Sequence, residues 1–107
     1  MRKTNDTAVK VDLNNPVFQR QLVALDKTEA SRVLSPLRKL LQLTWSQVYQ
    51  DPGLRWEKIT SVPPPSGVEA VYSLRITQAR RATAYRDGEH LRFLTIEPDH
   101  DATYGKK

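Results

Sequence analysis

Residues 71–96 read Val71-Tyr72-Ser73-Leu74-Arg75-Ile76-Thr77-Gln78-Ala79-Arg80-Arg81-Ala82-Thr83-Ala84-Tyr85-Arg86-Asp87-Gly88-Glu89-His90-Leu91-Arg92-Phe93-Leu94-Thr95-Ile96. The first seven alternate, with Tyr72, Leu74 and Ile76 on one side and Ser73, Arg75 and Thr77 on the other. A half-buried strand has this period of two. Arg81 to Arg86 repeats the pattern, with the small Ala82 and Ala84 set against Arg81, Thr83 and Tyr85. Asp87-Gly88 is a strong two-residue hairpin signal. Leu91 to Ile96 is nearly all apolar, the composition of a strand covered on both faces. A meander of three antiparallel strands is therefore predicted. If Tyr72, Leu74 and Ile76 pack on the core, parity puts Arg75, Arg81, Thr83, Tyr85 and Arg92 together on the uncovered face. Arg80 and Arg86 fall at strand ends and are expected in solvent.

Upstream, Ala8 to Leu13 also alternates and reads as a short strand. Asn14-Asn15-Pro16 reads as a helix start, with asparagine as cap and proline in the first turn. Val17, Phe18, Gln21, Leu22 and Leu25 then recur at helical spacing. A second helical stretch runs from about Asp26 toward Asp51. Ser35-Pro36 is expected to kink or restart it, because proline lacks an amide and clashes with the previous turn. Leu37, Leu40, Leu41, Thr44 and Val48 form the apolar stripe after the restart. Asp51-Pro52-Gly53 ends helix, and Leu54 to Val62 is expected as a strand. The proline triplet in Val62-Pro63-Pro64-Pro65-Ser66-Gly67 is read as a connection between strands rather than as a ligand for a proline-binding module. The fold class is thus α+β: a twisted antiparallel β-sheet, an N-terminal helical hairpin packed on one face, and a short C-terminal turn or helix. Residues 1–107 form a single domain, with 1–7 expected to be a disordered tail.

The bulk numbers narrow the function. A chain of 107 residues is long enough for one core. Lys and Arg number 17 against 12 Asp and Glu, a formal charge of +5 that favours anionic partners, nucleic acid first. Cysteine is absent, which excludes disulfides and thiolate metal sites and fits a reducing compartment. With His90 and His100 as the only histidines, no metal is expected. The basic start Met1-Arg2-Lys3 has no apolar run behind it and is not a secretory signal. No stretch approaches the length of a membrane span, so a cytoplasmic location is expected.

The tail, Pro98-Asp99-His100-Asp101-Ala102-Thr103-Tyr104-Gly105-Lys106-Lys107, carries groups that move protons. His100 and Tyr104 are four apart and would share a helix face. Cleaving RNA by attack of its own 2′-hydroxyl needs a base, an acid and cations on the charged phosphorane. Histidine titrates in the right range. Arginine suits phosphate because its planar fork donates parallel hydrogen bonds and stays charged.

Tyr72-Ser73-Leu74-Arg75-Ile76, Arg81, Tyr85, the Asp87-Gly88 hairpin, the apolar strand and Tyr104 together resemble the RelE/ParE superfamily of type II toxins, over roughly Leu54 to Lys107. The resemblance implies the sheet-and-hairpin fold already described. In its RelE-like mRNA interferase branch it implies a translation inhibitor, a metal-independent endoribonuclease that cuts mRNA in the ribosomal A site and uses no cofactor. Its implied partners are a cognate antitoxin, in a toxin–antitoxin hetero-oligomer, and the mRNA and rRNA of the ribosome. Arg81 matches the arginine assigned to transition-state stabilisation. Arg75 matches a basic strand residue on the phosphate, and Tyr104 the late tyrosine that reacts or stacks. Glu57, in Trp56-Glu57-Lys58, resembles a glutamate general base. His100 falls where some members have a catalytic histidine, at a different spacing from the tyrosine. Arg80, Arg92, Lys106 and Lys107 are further candidate phosphate cations. Ser73 stands where some members carry a basic residue. Two other functions remain open: a ParE-like, non-catalytic inhibitor of DNA gyrase, and a plain RNA-binding module. The joint presence of arginine, histidine and tyrosine favours the nuclease.

Overall fold

The computed structural model describes residues 6–97. In chain order these form β1 (Lys10–Asp12), α1 (Pro16–Val23), α2 (Lys27–Leu40), α3 (Trp45–Gln50), β2 (Glu57–Ile59), β3 (Val71–Arg75), β4 (Arg81–Asp87) and β5 (His90–Ile96). The C-terminal turn or helix expected beyond Pro98 lies outside the described residues. Asp6 and Thr7, expected in a disordered tail, are instead bonded to the start of α3. The Ser46 amide donates to Asp6 Oδ1 at 2.9 Å, and the Trp45 amide to the Thr7 carbonyl at 3.0 Å. They satisfy donors that a helix start leaves without intrahelical partners.

The helix starts follow from side-chain caps. Asn15 Oδ1 accepts from the Val17 and Phe18 amides at 2.8 and 3.3 Å, with Pro16 opening α1. Asp26 Oδ1 accepts from the Glu29 amide at 2.8 Å and opens α2. The restart expected at Pro36 is not there, because α2 runs through it to Leu40. Pro36 removes only the amide that would bond to the Arg32 carbonyl, one hydrogen bond of a fourteen-residue helix. The chain breaks instead at residues 41–44. There Thr44 starts α3 with a reciprocal capping box: its amide donates to Gln47 Oε1 at 2.9 Å, and the Gln47 amide donates back to Thr44 Oγ1 at 3.4 Å.

The strands lie in the order β1-β5-β4-β3-β2. β2 to β5 form the antiparallel meander, and β1 adds a parallel edge with Lys10, Val11 and Asp12 opposite His90, Leu91 and Arg92. The sheet is therefore mixed. β2 holds three residues, shorter than the expected Leu54 to Val62. At the hairpin Asp87 pairs with His90, so the loop residues are Gly88 and Glu89, one position later than the Asp-Gly signal suggests. Gly88 has φ 62°, a conformation glycine adopts without steric cost. A bulge makes Leu94 the extra residue between the Ala84–Phe93 and Thr83–Thr95 pairs. Burial along β5 alternates, with Leu91, Phe93 and Ile96 buried and Arg92, Leu94 and Thr95 half-buried. Its apolar composition thus serves one covered face and a bulge, not two covered faces.

The core lies between the sheet and the helices. Phe18, Val33, Leu37, Leu40, Trp45 and Val48 pack with Leu74, Ala82, Ala84, Leu91 and Phe93. Phe18 meets Phe93 with ring centroids 5.2 Å apart. At one end the aromatic packing continues through Trp45, Tyr49, Trp56 and Tyr72, the last two stacked at 4.6 Å. Arg86, expected in solvent, lies over the Trp45 ring at 4.3 Å and donates to the Tyr49 hydroxyl at 2.7 Å.

β1 is fastened by one carboxylate. Asp12 accepts from the Asn14 amide at 2.9 Å and pairs with Arg92. The Asn14 amide first, and Arg92 with it, hold the Asp12 carboxyl below its usual range. A carboxyl with a lowered folded pKa contributes stability above its unfolded value of about 3.9 and loses it as pH falls through the folded value. Asp12→Asn should therefore lower the melting temperature by several degrees at pH 7, about 1 kcal/mol, and the difference should close below about pH 3. Thermal melts across that range test this; a gap unchanged in acid would assign the loss to packing instead. Pro36→Ala should raise the melting temperature at any pH, by up to about 3 kcal/mol, since it restores an amide inside a continuous helix. A fall would show that the proline ring packs better than alanine.

Candidate active site

On the sheet face away from the helices, residues opposite one another across the strands form rows. Glu57, Ser73, Thr83 and Thr95 make one row. Arg75 and Arg81 make the next, continued by Glu97, whose amide donates to the Arg81 carbonyl at 2.7 Å. Tyr85, Arg92 and Asp12 make a third, toward the other end.

Arg81 is the best-fixed cation of the face. Its Nε donates to Ser73 Oγ at 2.8 Å, and Nη2 donates to the same oxygen. Nη2 also reaches the Arg55 carbonyl at 3.3 Å. Arg55 has φ 48°, the single positive-φ non-glycine residue among the described ones. This sparsely populated backbone conformation stands at the residue whose carbonyl meets the guanidinium. Glu57 Oε2 stands 3.9 Å from Nη2. The Arg81 side chain is 29% exposed, so the held guanidinium still faces solvent. Ser73 is 6% exposed. Its hydroxyl accepts both bonds and orients the arginine of the next strand.

Arg75 sits directly across from Arg81, half-buried, with no ion pair or side-chain hydrogen bond among the described residues. Like charges opposite one another on a sheet repel. An anion between them relieves that repulsion, and Arg55, exposed and bonded through its carbonyl to Arg81, adds positive charge nearby. Next to the pair runs a line of hydroxyls. Thr83 Oγ1 and Thr95 Oγ1 are 2.6 Å apart, and Thr95 Oγ1 donates to Glu97 Oε2 at 2.7 Å. Glu57 and Glu97 therefore flank Arg81 on two sides. Sequence reasoning missed Glu97, although parity from Ile96 places it on the arginine face.

The other candidates are not brought to this point. Arg80 donates from Nε to Glu29 Oε1 at 2.9 Å, and its side chain is 17% exposed. It ties the start of β4 to α2. Arg92 pairs with Asp12 and, through Nε at 2.9 Å, with Asp87. Asp12 first, then Asp87, raise its pKa, and two carboxylates already neutralise it. His100, Tyr104, Lys106 and Lys107 lie outside the described residues. Among the described residues, no three His, Cys, Asp or Glu side chains cluster to hold a metal, and no helix is long and apolar enough to cross a membrane.

No protein-family model matches the sequence, and no curated protein matches it by sequence. Solved structures do match by shape. The archaeal RelE–RelB complex from Pyrococcus horikoshii OT3 has a chain that superposes with a TM-score of 0.59 at 17% identity, over 86% of this chain and 96% of that one. The chain has a RelE-like fold. The YoeB dimer from Staphylococcus aureus agrees, with a TM-score of 0.50 at 15% identity, over 85% of this chain and 97% of that one. The RelE-like fold spans both the helical hairpin and the sheet, so the resemblance first seen from Leu54 onward extends to the N-terminal half.

If Ser73 orients Arg81, Ser73→Ala should free the guanidinium while costing little stability, since water reaches the 29% exposed side chain. The Arg81 Nε–H resonance should then lose its dispersion and its protection from exchange, with the melting temperature within a few degrees of the parent. An unmoved resonance would show that the Arg55 carbonyl and Glu57 suffice.

Proposed function

We propose that this chain is the toxin of a type II toxin–antitoxin system and stops translation by cutting mRNA on the ribosome. The observation that carries the proposal is the Arg75–Arg81 pair: two adjacent cations on an open sheet face, one oriented by Ser73 and flanked by carboxylates. The RelE-like fold supports the same reading, and the RelE–RelB complex supports a partner antitoxin, hence a hetero-oligomer.

The reaction is a transesterification. The 2′-oxygen attacks phosphorus, the bond from phosphorus to the 5′-oxygen breaks, and a 2′,3′-cyclic phosphate and a 5′-hydroxyl result. Glu57 takes the 2′-hydroxyl proton. Arg81 and Arg75 hold the phosphate oxygens and stabilise the extra charge of the phosphorane. The 5′-oxygen needs a proton from an acid, and His100 or Tyr104 supplies it, the resemblance pointing to both. No metal or cofactor enters this scheme. Lys106 and Lys107 add cations for rRNA or mRNA backbone, and the whole process takes place in the cytoplasm.

Arg81→Ala should cut single-turnover cleavage of ribosome-bound mRNA by roughly a hundredfold, since a transition-state donor is worth about 3 kcal/mol. It should melt near the parent temperature, as it leaves no core cavity. The parent protein should stop a cell-free translation extract while gyrase supercoiling continues. Intact mRNA with blocked supercoiling would instead assign the chain to the gyrase-inhibiting branch.

A further inference from the structure

Seven aromatic side chains lie among the described residues, and six of them pack ring against ring. Phe18 meets Phe93, and Trp45, Tyr49, Trp56 and Tyr72 form one connected set. Tyr85 is the exception. It has neither a ring neighbour nor a hydroxyl hydrogen bond among the described residues. It stands on the arginine face of β4, opposite Arg92, and is half-buried. A tyrosine with a free face and a free hydroxyl, set in a line of threonines and arginines, contributes nothing to the core.

Two open clefts are bordered by this residue. One, of about 770 Å³, runs between the loop 66–70 and the hairpin and is bordered by Tyr49, Glu69, Tyr72 and Arg86. The other, of about 310 Å³, is bordered by Asp12, Asn14, Arg92 and Leu94. Tyr85 borders both. Charge differs between the two ends of β4. At the Arg81 end, three cations, Arg55, Arg75 and Arg81, stand against two carboxylates, Glu57 and Glu97. At the Tyr85 end, the two carboxylates of Asp12 and Asp87 outnumber the one cation, Arg92, and leave no free positive charge. A polyanion crossing the face therefore finds its phosphate contacts at the first end. At the second it meets an uncharged aromatic plane, which suits a base.

We propose that Tyr85 is a stacking platform for one base of the RNA substrate. The inference rests on the nuclease reading above. Arg81 and Tyr85 are four residues apart on one strand, about 13 Å at ~3.3 Å per residue. The ring therefore meets the RNA at a point separate from the gripped phosphate. Stacking on a tyrosine tolerates any base, because every base has a π-face. The contact fixes the register of the strand without choosing its sequence. A phosphate gripped at Arg75 and Arg81 alone leaves the RNA free to pivot, and a second contact along β4 removes that freedom.

The test is cleavage of ribosome-bound mRNA by the full-length protein. Tyr85→Phe keeps the ring and should cleave like the parent. Tyr85→Leu should lose roughly tenfold in kcat/KM, most of it in KM, whereas Arg81→Ala loses kcat. Tyr85→Thr, β-branched like Thr83 and Thr95 on the same face, replaces the leucine variant if that one fails to fold. An abasic nucleotide is then moved along the mRNA. At one position it should slow the parent to the level of the leucine variant and leave that variant unchanged, the non-additivity of two groups in contact. Parent-like cleavage by both Tyr85→Leu and Tyr85→Thr would overturn the platform, as would abasic effects that add in full to theirs. If these variants cleave normally but bind a partner protein more weakly, Tyr85 belongs to a protein interface and the proposal also fails. A parent protein that cleaves no mRNA, with melting behaviour intact, refutes the nuclease reading itself.

Discussion

Alternation along β4 is the constraint on which the rest of the molecule depends. Ala82 and Ala84 point to one side and are fully buried. Their size lets the helices come down onto the centre of the sheet, where larger side chains would hold them off. Arg81, Thr83 and Tyr85 are forced to the other side by the same backbone geometry. One strand therefore supplies the floor of the core and the middle of the candidate site. A slip of one residue in its pairing would bury Arg81 and expose both alanines, so the packing of the core also sets the position of the arginine.

Legibility followed the range of the physics. The meander, its faces and the cap at Asn15 were readable because each rests on residues adjacent in sequence. A restart at Pro36 did not occur because a local penalty was outweighed by packing. Val33, Leu37 and Leu40 straddle the proline and are all buried on the same side, which holds the helix together across one lost bond. The true break was written in Thr44 and Gln47, a capping box hidden within an apolar stripe. The direction of β1 was not readable, since parallel and antiparallel edges have the same alternation. The site was legible in part. Arg75 and Arg81 were visible by parity. The roles of Ser73, the Arg55 carbonyl and Glu97 depend on cross-strand neighbours that only the register reveals.

Counting arginines would misjudge the surface. Of the five between Arg75 and Arg92, three have structural work within the fold. Arg80 holds α2 through Glu29, Arg86 caps the aromatic cluster over Trp45, and Arg92 joins Asp12 to Asp87. The planar guanidinium fits each role because it stacks and bonds in two directions at once. Net charge thus says that an anion is favoured somewhere, while the distribution of carboxylates says where. Positive potential remains at the β2–β3 edge and falls off toward the hairpin.

The pairing of β1 with β5 has a temporal meaning. Residues 10–12 find their partners at residues 90–92, so β1, made before the helices, waits for β5. Nothing made earlier in the chain offers β1 that edge, and the Arg92 carboxylate clamp has no centre until β5 emerges. Contacts of such sequence separation form late and carry a large loop-closure cost. The open face is likewise incomplete until then, because Thr95 and Glu97 supply its far side. A chain still being synthesised therefore has the helices and most of the arginines but not the assembled surface. The candidate surface is assembled only once β5 has been made and paired.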